Sequence, residues 1–262
     1  MEELWLTLAT RAGVTILVVV AASLVAERLG PLWGGLVATL PVSAGPAYVM
    51  LAMQHPPGFI AEAALGSVAA NPATVLFGVV FTRLVVARGL AVAMPAALLA
   101  WLAAILAIRA VAWSTAGAVL LNILVHGAGL WLTRAAVLPA PRPGRATGRG
   151  WYDLPLRAAL VGALVAAVVT GSHLLGPRAT GIGAVVPVTY TSLLIIVALR
   201  QGPEAAAAIM ASALRGFVGF SLGFLALHGL AVPMGSAAAL VLALGVMLAW
   251  SAGVLAVRMG WR

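Results

Sequence analysis

The chain has 262 residues, of which 63% are apolar and only 8% charged, with a mean hydropathy of +1.13. A soluble domain carries about 25% charged residues because its surface must be wetted, so this composition excludes an ordinary globular protein and points to lipid as the solvent. The formal charge of +9 comes from arginine alone, there being no lysine, and the absence of cysteine excludes a disulfide framework, a thiol nucleophile and a Cys-ligated metal.

Read in chain order, apolar stretches of membrane-spanning length follow one another almost without interval. The expected spans are 8–27, 34–53, 60–82, 90–108, 114–133, 158–175, 181–199, 205–228 and 234–257. The first opens after Glu2 and Glu3 rather than a basic region, so it reads as a membrane helix and not a cleaved signal peptide. Short Pro- and Gly-containing breaks separate the spans: Leu29-Gly30-Pro31, His55 to Gly58, Arg83 to Gly89, Arg109 to Trp113, Gly176-Pro177-Arg178 and Gln201-Gly202-Pro203. The one long polar stretch, rich in Pro, Gly and Arg, makes 139–156 a linker. The fold class is therefore all-α, a polytopic membrane protein of about nine transmembrane helices.

The arginines divide between the two sides that this count defines. Arg28, Arg83, Arg88, Arg134, Arg142, Arg145, Arg149, Arg157, Arg200, Arg258 and Arg262 fall on one side, Arg11, Arg109 and Arg178 on the other, and Arg215 within a helix. Positive charge stays in the cytoplasm, so the expectation is an N-terminus outside and a C-terminus inside. The Ala- and Arg-rich usage suggests a bacterial inner membrane.

The sequence also matches itself at an offset of 146. Arg11 pairs with Arg157, Leu29-Gly30-Pro31 with Leu175-Gly176-Pro177, Gly35 with Gly181, Pro41-Val42 with Pro187-Val188, and Pro57 with Pro203. An odd number of spans separates equivalent positions, so the second copy is expected upside down. The expected organisation is a repeat unit at 8–108, a linking helix at 114–133 and a second unit at 157–257. Inverted repeats of this kind are a transporter architecture.

Gly181-Ile-Gly-Ala-Val-Val-Pro-Val-Thr-Tyr-Thr-Ser192, followed by Leu199-Arg-Gln-Gly-Pro-Glu-Ala205, resembles the core of the GlpM-type small four-helix membrane proteins. Gly35-Leu-Val-Ala-Thr-Leu-Pro-Val-Ser43 repeats its first part, while the turn at His55 to Gly58 lacks the Gly-x-Glu-Ala pattern. The resemblance implies a fused, inverted pair of such units and names no substrate.

Several residues invite a functional reading. Pro41 and Pro187 lie inside expected helices, with Pro46 sharpening the first break, and a proline there frees a backbone carbonyl that must find another partner or line a cavity. Ser43, Tyr48, Thr189 and Tyr190 flank these breaks. Arg215 lies near mid-span, where an unpaired guanidinium costs at least about 2.5–3.5 kcal/mol, so it should face the bundle. Asn71, beside Pro72, stands at a similar depth. These residues form the expected substrate site. A plainer reading stays open for each: ordinary kinks packed by Gly and Ala, an arginine paired with carbonyls, and an asparagine joining two helices. Glu62 and Glu204 open helices and suit the helix dipole, although a deeper Glu62 would be a proton carrier. His126, His173 and His228 stand singly, without metal-ligand spacing. The Trp residues suit interfacial anchoring.

No nucleophile elbow, P-loop or zinc-protease motif occurs, so neither enzyme activity, a cofactor nor a metal is expected. The expectation is a secondary transporter or permease-like protein for a small anionic or zwitterionic solute or a lipid head group. The alternative is a non-transporting scaffold or assembly partner. Expected partners are membrane lipid, an unidentified small-molecule substrate and, as an open option, a second copy of the chain in a homodimer, but not nucleic acid.

Overall fold

The computed structural model describes residues 44–136 and 153–260. The expected span 8–27, the first part of 34–53 with Pro41 and Ser43, and the linker up to residue 152 lie outside them. Every regular element among the described residues is helical. In chain order these are α1 (Ala44–Ala52), α2 (Pro57–Arg88), α3 (Leu90–Arg109), α4 (Thr115–Thr133), α5 (Asp153–Ala184), α6 (Val188–Gln201), α7 (Pro203–Met234) and α8 (Ser236–Gly260). A 3-10 turn at Arg134–Ala136 closes α4. Residues 153–156, the end of the expected linker, belong to α5.

Among the described residues six stretches are long and apolar enough to cross a membrane: Pro57–Arg88, Leu90–Arg109, Thr115–Ala136, Ala159–Gln201, Pro203–Met234 and Ser236–Val257. The chain is thus a helical, multi-pass membrane protein. The 43-residue stretch Ala159–Gln201 covers two of the expected spans. It bends at Gly176, whose φ of 75° lies in the left-handed region that Pro177 then follows into a new helix. It is interrupted again after Ala184, where Val185, Val186 and Pro187 leave the helix before α6 begins.

The two longest uninterrupted helices, α2 and α7, are each 32 residues and begin with a proline, at Pro57 and Pro203. Each ends at a glycine of positive φ, Gly89 at 76° and Gly235 at 80°, and the next helix starts one residue later. All three correspondences fall at a spacing of 146. A helix of 32 residues is about 48 Å long, longer than a hydrocarbon core of about 30 Å.

The two helices pack against each other in opposite directions. Ala61 of α2 meets His228 of α7, Asn71 meets Phe217 and Ser221, and Gly78 lies against Met210 and Leu214. Around them α3 and α5 pack on α2, α6 and α8 on α7, and α4 touches both. The bundle consequently has two ends. One gathers the start of α2, the end of α3, the start of α4, the Gly176 bend and the end of α7. The helix termini at the other carry Arg83, Arg88, Arg134, Arg157, Arg200 and Arg258.

The buried helix is α2, lined by Ala61, Ala63, Ala64, Ser67, Ala69, Ala70 and Ala73. Lipid offers no hydrophobic drive for helices to associate, so close backbone approach through small residues must supply the contact. The closest approach is between α2 and the segment after Gly176. A Cβ on Gly181 would collide with the Ala63 carbonyl, and one on Gly66 with the Arg178 carbonyl. The outer helices present Leu99, Leu106, Leu120, Ile123 and Val241 outward, where lipid solvates them.

This packing generates a direct expectation. Gly66→Leu and Gly181→Leu must each force backbone apart, and each should destabilise by at least the ~1–3 kcal/mol typical of overpacking. Gly229→Ala, where a Cβ meets none of the described residues within 4 Å, serves as the control. Thermal unfolding in detergent should show a clear fall in midpoint for the first two and none for the third.

Candidate functional site

Pro72 lies inside α2 and has no N–H to offer the carbonyl of Val68, one turn back. Asn122 of α4 supplies the missing donor, its Nδ2 reaching the Val68 oxygen at 2.7 Å and the Ala118 oxygen of its own helix at 2.8 Å. The Asn122 Oδ1 accepts from the Ser221 hydroxyl of α7 at 2.7 Å. Asn71 Nδ2 donates to that hydroxyl at 2.6 Å and to the Phe217 carbonyl at 3.0 Å. His126 hydrogen-bonds through Nδ1 to the Asn122 carbonyl at 2.8 Å. Three helices are thereby tied together at mid-length. Apolar clusters lie on either side of this polar crossing, one containing Tyr48, Leu51 and Phe224, the other Phe77, Phe81 and Leu194.

The interrupted helix passes close by. The Val185 carbonyl lies 3.4 Å from the donating Thr74 hydroxyl of α2. The Gly183 carbonyl, which Pro187 cannot serve, accepts instead from the Val186 amide at 3.3 Å, so part of the freed backbone is satisfied locally.

The residues singled out in the sequence are therefore distributed over several environments. Asn71 is buried in the crossing and joins two helices. Tyr48 is buried, hydrogen-bonded to Ser67 at 2.8 Å, and the Ser67 hydroxyl donates to Gly181 across the close contact. Thr189 and Tyr190 open α6, the Thr189 hydroxyl being buried without a hydrogen-bond partner among the described residues, while Tyr190 packs edge-on against the Phe217 ring. Asn71 and Tyr190 thus share Phe217 as a neighbour. Arg215 lies on α7 with its Nη1 buried, and its carbonyl accepts the indole N–H of Trp250 at 2.8 Å. Pro46 lies within α1, which continues through it to Ala52. Pro41 and Ser43 are outside the described residues. Trp101 and Trp250 stand well inside α3 and α8 rather than at their ends.

A cavity of about 380 Å³ opens at the end of the bundle that carries fewer arginines. Glu62, Arg109, Trp113 and Arg178 line it, with Leu65, Ala69 and Ile182 among its apolar walls. Arg178 Nε donates to Glu62 Oε2 at 2.9 Å. Of the described residues offered for the substrate site, none lines this cavity. Nearby, the turn histidine His55 stacks on Phe59 and bonds Ser172 at 2.7 Å, with His173 beside it. Partial burial, and then the His173 charge, hold the His55 imidazole below its ordinary pKa. Among the described residues no group of three or more His, Asp or Glu could hold a metal ion.

Sequence reading missed Asn122, Ser221 and Ser67. The available signal was Asn122 itself, an amide deep in an apolar span, which in lipid must have a partner. Compared with known families, curated proteins and solved structures, the chain matches none.

The crossing can be tested by a double-mutant cycle. Asn122→Leu strands the Val68 carbonyl and should cost about 1–3 kcal/mol. Pro72→Ala restores the helical amide to that carbonyl, so the same Asn122→Leu change should cost measurably less in the Pro72→Ala background. Denaturant titration of the four proteins measures the coupling; equal costs in both backgrounds would remove the Val68–Asn122 account.

Proposed function

We propose that the chain is a secondary transporter or permease-like protein of a bacterial inner membrane, moving a small anionic or zwitterionic solute or a lipid head group. The observation that carries the reading is the antiparallel crossing of α2 and α7, equal in length and spaced by 146, beside a helix interrupted at Val185–Pro187. Two units related by an axis in the membrane plane would place equivalent helices antiparallel and crossing near equivalent residues. Asn71 donating to the Phe217 carbonyl, 146 positions on, fits that arrangement. Discontinuous helices at the interface of inverted units are where transporters bind their substrates. The buried Thr189 hydroxyl at the start of α6 supports the placing of such a site at the interruption. Nine spans, with the linking helix α4 between the units, belong to the same proposal. So does the relation to GlpM-type proteins, which rests on Gly181 to Ser192 and the turn at Gly202.

Orientation follows from charge. The end with Arg83, Arg88, Arg134, Arg157, Arg200 and Arg258 is proposed to face the cytoplasm, and the end with Arg109 and Arg178 the outside. The native chain has no cysteine, so single cysteines report cleanly. In intact cells a membrane-impermeant maleimide should label Trp113→Cys and leave Arg134→Cys unlabelled. The reverse pattern would invert the orientation.

Alternating access makes a further demand. In sealed vesicles of known orientation, Thr189→Cys should react with a small impermeant thiosulfonate applied from either side, because the interruption is exposed to each in turn. Ala73→Cys, buried within α2, should stay protected. Failure of Thr189→Cys to react from either side would favour a solid scaffold over a transporter.

A further inference from the structure

We propose that the cavity between Glu62, Arg109 and Arg178 is a binding site for an organic anion, one negatively charged head on a small apolar body. This deepens the transporter reading and rests on it for the ligand's passage, though not for its binding.

Charge sets the class of ligand. Two guanidinium groups and one carboxylate line the cavity. The carboxylate is already engaged: Glu62 pairs with Arg178, and both side chains remain nearly half exposed, at 43% and 49%. Arg109, the last residue of α3, has no ion-pair or hydrogen-bond partner among the described residues. Among the described residues the lining therefore holds one positive charge in excess, in a concave mouth with apolar walls. Such a mouth concentrates the field and favours a single anionic group. A guanidinium presents a planar fork of donors, suited to a carboxylate, phosphate or sulfonate.

Geometry supports a prepared site rather than a chance arrangement of surface arginines. The backbone of Arg178 is fixed, because its carbonyl lies against Gly66, where no side chain would fit. The pair with Glu62 uses Nε, and among the described residues the two terminal nitrogens make no hydrogen bond, which leaves them for a ligand. Trp113 is held by its indole N–H on the Ile108 carbonyl at 2.9 Å, so its ring is a fixed apolar wall. The inner walls are Leu65, Ala69 and Ile182. A volume of about 380 Å³ lies within the range of small-molecule pockets, about 300–1,000 Å³. Charge at the rim and apolar groups within describe an amphiphilic anion, free or as the head of an anionic lipid.

The test uses the whole protein in nanodiscs of phosphatidylcholine, with benzenesulfonate as the anionic probe and benzylammonium as its cationic counterpart. Calorimetric titration should detect benzenesulfonate and no comparable benzylammonium signal. Arg109→Gln should weaken benzenesulfonate by about tenfold, the loss of one charge-assisted contact. Glu62→Gln removes the competing carboxylate and should tighten it, and this opposite sign is not expected of a variant that merely misfolds. A second arm exchanges the lipid for phosphatidylglycerol and counts bound lipids by native mass spectrometry. Retained phosphatidylglycerol that Arg109→Gln releases assigns the head to lipid; benzenesulfonate binding without retained lipid assigns it to a solute. The proposal is overturned if neither anion binds, if benzylammonium binds as well, or if both variants leave affinity unchanged. Flux is read separately in sealed liposomes: binding without benzenesulfonate flux keeps the site and removes the transporter reading, whereas absent binding removes the site alone.

Discussion

A carbonyl that its own helix cannot satisfy lies near the centre of this bundle. Pro72 leaves the Val68 oxygen without its helical donor in the buried interior of the bundle, and Asn122 of a neighbouring helix provides one at 2.7 Å. The same amide accepts from Ser221, which also receives Asn71, so one backbone defect fixes the relative depth and rotation of α2, α4 and α7. In water such a network would compete with solvent. In hydrocarbon the alternative is an unpaired polar group costing several kcal/mol, and the helices are held in register.

The rest of the packing follows from that crossing. With α2 and α7 antiparallel, the segment after Gly176 can lie along α2, where Gly66, Ala63 and Gly181 permit backbone contact. Tyr48 and Ser67 join the same contact by hydrogen bonds. The interruption at Val185–Pro187 then falls beside the middle of α2, next to Thr74. The Gly176 bend brings Arg178 to Glu62, and with Arg109 and Trp113 these residues shape the cavity at one end. Among the described residues the cavity's charges thus lie at one end and the Asn71–Ser221–Asn122 network at mid-depth, with apolar clusters on either side of that network.

Much of this was legible in the sequence, for identifiable reasons. Glycine and proline mark helix boundaries because one tolerates positive φ and the other lacks a donor, and Gly89, Gly176, Gly202 and Gly235 all have positive φ. Helix length was less legible. The expected spans 60–82 and 205–228 become 57–88 and 203–234, because apolarity measures the stretch that lipid can cover while the backbone helix runs on past it. The polar partners were least legible. Asn71 stood out beside a proline, but its partners lie 146 and 150 positions away, and no periodicity along one helix reveals which carbonyl of another it will meet. The cavity was hidden for the same reason: Glu62 opens one expected span while Arg109 and Arg178 lie in two separate breaks, and each alone reads as an ordinary helix-end charge.

The central claim is that the bundle is organised around an antiparallel α2–α7 pair, and inter-residue distance tests it most directly. Spin labels at Arg88→Cys and Met234→Cys mark the two C-terminal ends, and a third at Glu204→Cys marks the start of α7. Pulsed dipolar spectroscopy on the reconstituted protein should give roughly the helix length, about 48 Å, for 88 with 234, and a much shorter distance for 88 with 204. A short distance between 88 and 234 with a long one between 88 and 204 would contradict the account.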